Sequence, residues 1–313
     1  MNFLIVDDLH EILLQKFDLA GISYDYQPTI NRIDAQKIIP HYDGLIIRSK
    51  FQVDKEFIQA ASQLKYIGRA GAGMDNIDEA YALQNNIALF PANEGNCDAV
   101  GEHMIGMLLS LLNNLSRANQ EVKNGLWKRE DNRGYELKGK TVALIGYGHN
   151  GKAMAKKLSG FDVQVIAYDK YKSGFSDQYA REVSMEEVVK QADILSFHIP
   201  LTQETKALVN EEHLFHFRKP IIFLMGARGG IVEIPAVLKA MDQGKIRAAA
   251  FDVLPIENFP TLAAQPWYHE LIARDNVLLS PHVAGWTFES YYKLSEVLAD
   301  KIITAHNNSL SST

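Results

Sequence analysis

Cysteine is all but missing: Cys97 is the only one in 313 residues. No internal disulfide can form, which fits a reducing cytosol and sets the expected location as cytoplasmic. Long apolar runs are missing as well, and nothing approaches the roughly 18 apolar residues needed to cross a bilayer. The opening stretch MNFLIVDDLHEILLQ has no basic region ahead of a long apolar one, so no secretory leader is expected. Positive charge is not in excess. Lys and Arg number 32 against 38 Asp and Glu, a net charge of −6. A mildly acidic surface argues against a general affinity for nucleic acid or anionic membrane. No Cys/His cluster suggests a metal, since His213 and His216 have no third ligand nearby in sequence. Internal repeats of 20–50 residues and low-complexity tracts are absent too.

What is present is apolar material for two cores, 47% hydrophobic against 22% charged residues. It is arranged as short apolar runs between amphipathic stretches. NFLIV (2–6), GLIIRS (44–49), LKYIGRAG (64–71) and IALF (87–90) alternate with DLHEILLQKFDLAG, DKEFIQAASQ and NIDEAYALQNN. That alternation predicts a parallel sheet with helices on both faces. Residues 98–124 predict one long helix, and 125–140 a polar surface loop. The alternation restarts at TVALI (141–145) and continues through VQVIAY, DILSFH, KPIIFLM, RAAAFDV and NVLLSPH. A final helix is expected over TFESYYKLSEVLADKIITAHN. The fold class expected is α/β, with two doubly wound parallel-sheet lobes.

The second series opens on ALIGYGHNG, in which Gly146-x-Gly148-x-x-Gly151 joins a strand to a helix. The first glycine suits a tight turn, the second lets a pyrophosphate approach the backbone, and the third lets helix and strand pack closely. The helix start offers free N–H groups and a positive dipole to the phosphates. Asp169 ends the next strand, where a carboxylate can accept from a ribose 2′-hydroxyl and repel a 2′-phosphate. NAD is therefore expected over NADP, with Lys170 and Lys172 softening the preference.

Open parallel sheets bind ligands beyond the carboxyl ends of their strands. Arg228 follows IIFLMGA, Asp252 follows RAAAF, Glu257 lies five residues further on, and His282 follows NVLLSP. A histidine near neutral pKa can exchange a hydroxyl proton, and a neighbouring carboxylate would raise that pKa. Arginine can grip a carboxylate in bidentate fashion and polarise an adjacent carbonyl. Together they suit hydride transfer to or from a 2-hydroxy acid.

At these residues the chain resembles the D-isomer-specific 2-hydroxyacid dehydrogenase family, and within it phosphoglycerate dehydrogenases. The matching stretches are LKYIGRAGAGMDNID (64–78), DAVGEHMIGMLLSLL (98–112), GKTVALIGYGHNGKAMAKKL (139–158), ADILSFHIPLTQET (192–205), GARGGIVE (226–233), GKIRAAAFDVLPIEN (244–258) and SPHVAG (280–285). The resemblance implies a Rossmann-type NAD lobe, residues 100–284, inserted into a flavodoxin-like substrate lobe, residues 1–99 and 285–313. It implies an active site in the cleft between them and a homodimer. It makes Arg228, Glu257 and His282 the catalytic set. Around NAD it places Gly146, Gly148, His149, Asn150, Gly151, Asp169, His198, Pro200, Gly226, Ala227, Asp252, His282 and Ala284. On the substrate it places Arg48, Ser49, Arg69, Gly71, Ala72, Gly73 and Arg228. The substrate implied is 3-phosphoglycerate, oxidised to 3-phosphohydroxypyruvate at the entry to serine synthesis. The alternatives are reduction of glyoxylate or hydroxypyruvate, or a non-catalytic NAD-sensing module like some corepressors. Two departures stand out. Met225 and Gly226 replace the family's Asn-Thr, and Trp286 replaces a small hydroxyl residue. A C-terminal regulatory domain and serine feedback are not expected.

Overall fold

The computed structural model describes residues 1–310. The last three residues of the segment assigned to the substrate lobe, 311–313, lie outside the described residues. The chain divides into two compact units. One is Met1–Asn96 with the segment from Trp286 onward, and the other is Cys97–Gly285.

The first unit begins β1 (Asn2–Ile5), α1 (Ile12–Leu19), β2 (Ser23–Tyr26), α2 (Arg32–Ile38), β3 (Gly44–Ile47), α3 (Lys55–Ala60), β4 (Tyr66–Arg69), α4 (Glu79–Gln84), β5 (Ala88–Pro91). The strands form one sheet in the order β2-β1-β3-β4-β5, and every pairing is parallel. GLII of β3 is buried along its whole length, as a strand covered on both faces must be. The helices start where side chains accept their first free N–H groups: Asn31 for α2, Asp54 for α3 and Asp78 for α4.

The second unit runs α5 (Cys97–Leu112), α6 (Leu115–Lys123), β6 (Thr141–Ile145), α7 (His149–Leu158), β7 (Gln164–Tyr168), β8 (Arg181–Glu182), α8 (Met185–Gln191), β9 (Ile194–Phe197), α9 (Glu211–Phe215), β10 (Ile221–Met225), α10 (Ile234–Asp242), β11 (Ile246–Phe251), α11 (Tyr268–Ile272), β12 (Val277–Leu279). Its seven parallel strands are ordered β12-β11-β10-β9-β6-β7-β8. The order reverses between β6 and β9, which is where a doubly wound sheet opens its ligand crevice. Phe197, Phe223 and Phe251 make a tilted row across β9, β10 and β11, with neighbouring centroids 5.7 Å apart. All three are fully buried, each worth about 2–3 kcal/mol, and they stiffen the platform that carries the strand ends. The chain then returns to the first unit as α12 (Phe288–Leu310). There Leu294, Leu298, Ala299 and Ile302 pack with Phe3, Ile5 and Ile46.

The long helix expected over 98–124 is a correction: it is two helices. Asn114 adopts a left-handed conformation, φ +52°, between α5 and α6. Asparagine tolerates that region better than most residues, and its neighbour Asn113 donates its side-chain amide to the Leu109 carbonyl. The strand β2 is also an addition. SYDY alternates exposed and half-buried residues at the sheet edge, so it never forms the apolar run that marks the central strands.

Candidate active site

The glycine loop lies at the carboxyl end of β6. Gly146 has φ +94°, and a Cβ there would stand 2.6 Å from the His198 carbonyl oxygen. A Cβ on Gly151 would reach the Gly146 carbonyl oxygen at 2.2 Å. Both positions therefore require glycine. At Gly148, in contrast, a Cβ would meet no atom within 4 Å, so the loop leaves open space beside its backbone. Two buried polar atoms here have no protein partner, Asn150 Oδ1 and His198 Nδ1. His198 gives its Nε2 to a contact of 3.0 Å with the Ser196 hydroxyl, and burial pulls its pKa down to about 4. The ring is thus neutral. An open cradle, unmet polar atoms and a helix start suit a dinucleotide. His149 and Pro200 lie on the surface around this loop.

Asp169 ties the turn after β7 to the glycine loop. Its carboxylate accepts from the Tyr147 N–H at 3.0 Å and the Tyr171 N–H at 3.1 Å. The acid eighteen residues beyond Gly151 is therefore strapped to the glycine loop itself.

Three adjacent strands, β10, β11 and β12, carry the candidate catalytic groups at their ends. Arg228 follows β10 and donates through Nη1 to the Ala227 carbonyl at 2.7 Å. Glu257 lies on the loop after β11. Its Oε2 is 2.8 Å from His282 Nδ1, and both side chains are about half exposed. The hydrogen bond to Glu257 raises the His282 pKa, and the nearby Arg228 charge works against that rise. With Nδ1 held by a carboxylate, Nε2 is the nitrogen left to face a ligand. His282 itself has φ +55°, a conformation that costs a non-glycine residue of order 1 kcal/mol or more.

Asp252 holds that strained turn. It is 1% exposed. Its backbone carbonyl accepts from the His282 N–H at 2.7 Å. Its carboxylate accepts from the Ser280 hydroxyl at 2.6 Å and from the Val283 and Ala284 N–H groups at 2.9 Å. Because the Ser280 hydroxyl proton goes to Asp252, that oxygen accepts from His103 Nε2, 2.9 Å away on α5. Neither His103 nor Ser280 stood out in the sequence. Ala284 is buried with its N–H committed to Asp252, so its part in the site is to shape the loop.

The two departures have structural answers. Met225 is fully buried in β10. A Cβ on Gly226 would stand 2.4 Å from Met104 Sδ, so Met104 fills the space a side chain at 226 would take. Within the first unit, the Arg48 guanidinium lies 4.2 Å from the centroid of the Trp286 ring. Arg69 is beside it, donating through Nε to the Arg48 carbonyl at 3.0 Å, at the ends of neighbouring β4 and β3. The N–H groups of Arg48, Ser49 and Lys50 all point to one Asp7 oxygen, at 2.7, 2.9 and 3.1 Å. Ser49 therefore has only its hydroxyl to donate to a ligand. In the loop Gly71–Ala72–Gly73, the first N–H is likewise engaged, with the Arg69 carbonyl at 2.8 Å.

A cavity of about 300 Å³ opens elsewhere in the second unit, lined by Arg117, Lys140, Asp193, Lys219, Arg247 and Asp275 among others. It lies at the amino ends of the strands, away from the groups above. Among the described residues no three His, Cys, Asp or Glu side chains gather as a metal would need, and no helix is long and apolar enough to cross a membrane.

Comparison with known proteins places the chain in a family. Residues 105–284 match the family model described as D-isomer specific 2-hydroxyacid dehydrogenase, NAD binding domain. The chain is 33% identical over 292 residues to a hydroxypyruvate reductase of Thermotoga maritima, covering 93% of this chain and 92% of that protein. It is 32% identical over 305 residues to a D-3-phosphoglycerate dehydrogenase of Archaeoglobus fulgidus. That match covers 97% of this chain but only 57% of the relative's length. Among solved structures, the TT0316 protein from Thermus thermophilus superimposes with a TM-score of 0.82 at 26% identity, covering 98% of this chain and 97% of that one. NAD is the cofactor of the matched lobe.

Proposed function

This chain belongs to the D-isomer-specific 2-hydroxyacid dehydrogenase family, and on that footing we propose that it moves a hydride between NAD and the hydroxyl-bearing carbon of a D-2-hydroxy acid. The observation that carries the reading is the His282–Glu257 pair at 2.8 Å, set with Arg228 on neighbouring strand ends of the NAD-binding unit.

Bound NAD supplies the hydride acceptor or donor. The chain's own residues do the rest. Arg228 grips the substrate carboxylate and polarises the oxygen at C2. His282 takes the hydroxyl proton during oxidation through Nε2 and returns it during reduction. Glu257 fixes the ring's orientation and stabilises the imidazolium that forms. Asp252 keeps His282 in its left-handed turn, with capacity left on Oδ2 for a carboxamide donor. His149, Asn150 and the Gly146–Gly151 loop hold the pyrophosphate, and Asp169 the ribose. His198, Pro200, Gly226 and Ala227 line the remaining cofactor surface.

For the substrate we propose 3-phosphoglycerate, which would place the enzyme at the entry to serine synthesis. Two arginines at neighbouring strand ends, Arg48 and Arg69, support this, since Arg suits phosphate, as does the likeness to a phosphoglycerate dehydrogenase. The Ser49 hydroxyl and the Ala72 and Gly73 N–H groups complete the proposed anion contacts. A second reading, reduction of hydroxypyruvate or glyoxylate, is favoured by the match along 92% of a hydroxypyruvate reductase. Exposed Leu115, Val122, Leu126 and Trp127, on and beyond α6, support a homodimer built through that segment, and the single cysteine supports a reducing, cytoplasmic location. The test is NADH oxidation with phosphohydroxypyruvate, hydroxypyruvate and glyoxylate in parallel. The first should give the highest kcat/KM. A higher value with either of the others selects the second reading, and no rate with any 2-oxo acid rejects the reaction.

A further inference from the structure

The turn after β7 carries an acid and two lysines, Asp169, Lys170 and Lys172, within four residues. The sequence leaves their competition open, because the acid suits a ribose 2′-hydroxyl and the lysines suit a 2′-phosphate. In the structure both ammonium groups are engaged. Lys172 Nζ donates to the Tyr147 carbonyl of the glycine loop at 3.0 Å. Lys170 Nζ is paired with the Glu204 carboxylate, which also accepts from the Tyr171 hydroxyl. Glu204 comes from the loop after β9, so it reaches this corner from a different strand.

We infer that Glu204 is a second determinant of the choice of NAD over NADP, a positioning residue that acts through Lys170. It holds the ammonium group that could otherwise turn toward a 2′-phosphate. With Glu204 in place the four side-chain charges of Asp169, Lys170, Lys172 and Glu204 cancel. Without it the corner is positive by one and has a mobile donor. The Glu204 and Lys170 side chains are roughly half exposed, so solvent screens the pair and the expected effect is modest. The inference rests on NAD being the cofactor and not on the substrate, and binding titrations need no substrate.

The test is titration of NADH and NADPH, followed by nucleotide fluorescence, against the full-length wild-type chain, Glu204→Gln, Lys170→Ala and the double variant. Glutamine keeps an acceptor for Tyr171 and Lys170 while removing the charge. Glu204→Gln should bind NADPH about fivefold more tightly and change NADH affinity by less than about twofold. The gain should shrink at high salt and vanish when Lys170 is also Ala. Equal changes for both nucleotides, no change for NADPH, or a gain that survives in the Lys170→Ala background would each overturn the inference.

Discussion

Gly229 sits where the two halves of the proposed catalytic set meet. It follows Arg228 directly, and a Cβ built on it would lie 1.9 Å from the Leu254 carbonyl oxygen, 2.0 Å from the Leu254 carbonyl carbon and 2.5 Å from the Pro255 nitrogen. Every one of those atoms is backbone, in the loop that leads to Glu257. Contacts below 3.0 Å are essentially never seen for a real Cβ. Gly229→Ala must therefore push the Arg228 turn and the Leu254–Pro255 segment apart by more than about 1 Å, since no flexible side chain can yield instead. Such overpacking costs about 1–3 kcal/mol, and a shift of about 1 Å between catalytic groups costs about a hundredfold in rate. Gly229 follows β10, which β9 separates from the glycine loop on β6, so NADH binding should change little. The assay combines kcat/KM for 2-oxo acid reduction, NADH titration and thermal denaturation. The expected pattern is a lower Tm, NADH affinity within about threefold of wild type, and turnover down by about two orders of magnitude. A variant with wild-type turnover and Tm would show that this contact does not register Arg228 against Glu257.

Other consequences follow from the same geometry. Reduction of a 2-oxo acid needs His282 protonated, so the rate holds below its pKa and falls as pH rises through it. Glu257 holds that pKa up, and in Glu257→Gln the fall should come at lower pH, as read from the pH profile of kcat/KM. Asp252→Ala strands the Ser280 hydroxyl and the Val283 and Ala284 N–H groups inside the protein. Chemical denaturation should show a loss of about 3 kcal/mol or more, with turnover falling as His282 leaves its turn. Trp286→Leu removes the ring beneath Arg48, a contact worth about 0.5–1 kcal/mol. The KM for phosphohydroxypyruvate should rise about threefold with kcat unchanged, while the KM for glyoxylate stays put.

Much of this site could be read in the sequence because its parts are punctuation. Gly146, Gly148 and Gly151 fall between an apolar run and a helix. Arg228, Asp252 and His282 each come within three residues of the end of an apolar strand. What stayed hidden depends on distance or on backbone detail. His103 reaches Ser280 across 177 residues, and no periodicity in α5 marks one polar residue as facing a strand end. Asp7 collects three N–H groups from residues more than 40 positions away, although an acid just past β1 was a usable signal. The split between α5 and α6 turned on Asn114 entering the left-handed region, which the apolar spacing on either side concealed. At Gly226 the sequence showed only a missing side chain. The compensation by Met104 is a packing fact, visible once α5 sets that side chain against the turn after β10.

His282, as the group that exchanges the proton, is the centre of the proposed reaction. The most direct measurement is single-turnover oxidation of bound NADH by a 2-oxo acid in the wild type and in His282→Ala, with NADH affinity measured on the same samples. The chemical step should slow by roughly 10²–10⁴-fold in the variant while NADH binds nearly as before. A His282→Ala protein that turns over at the wild-type rate would contradict the account.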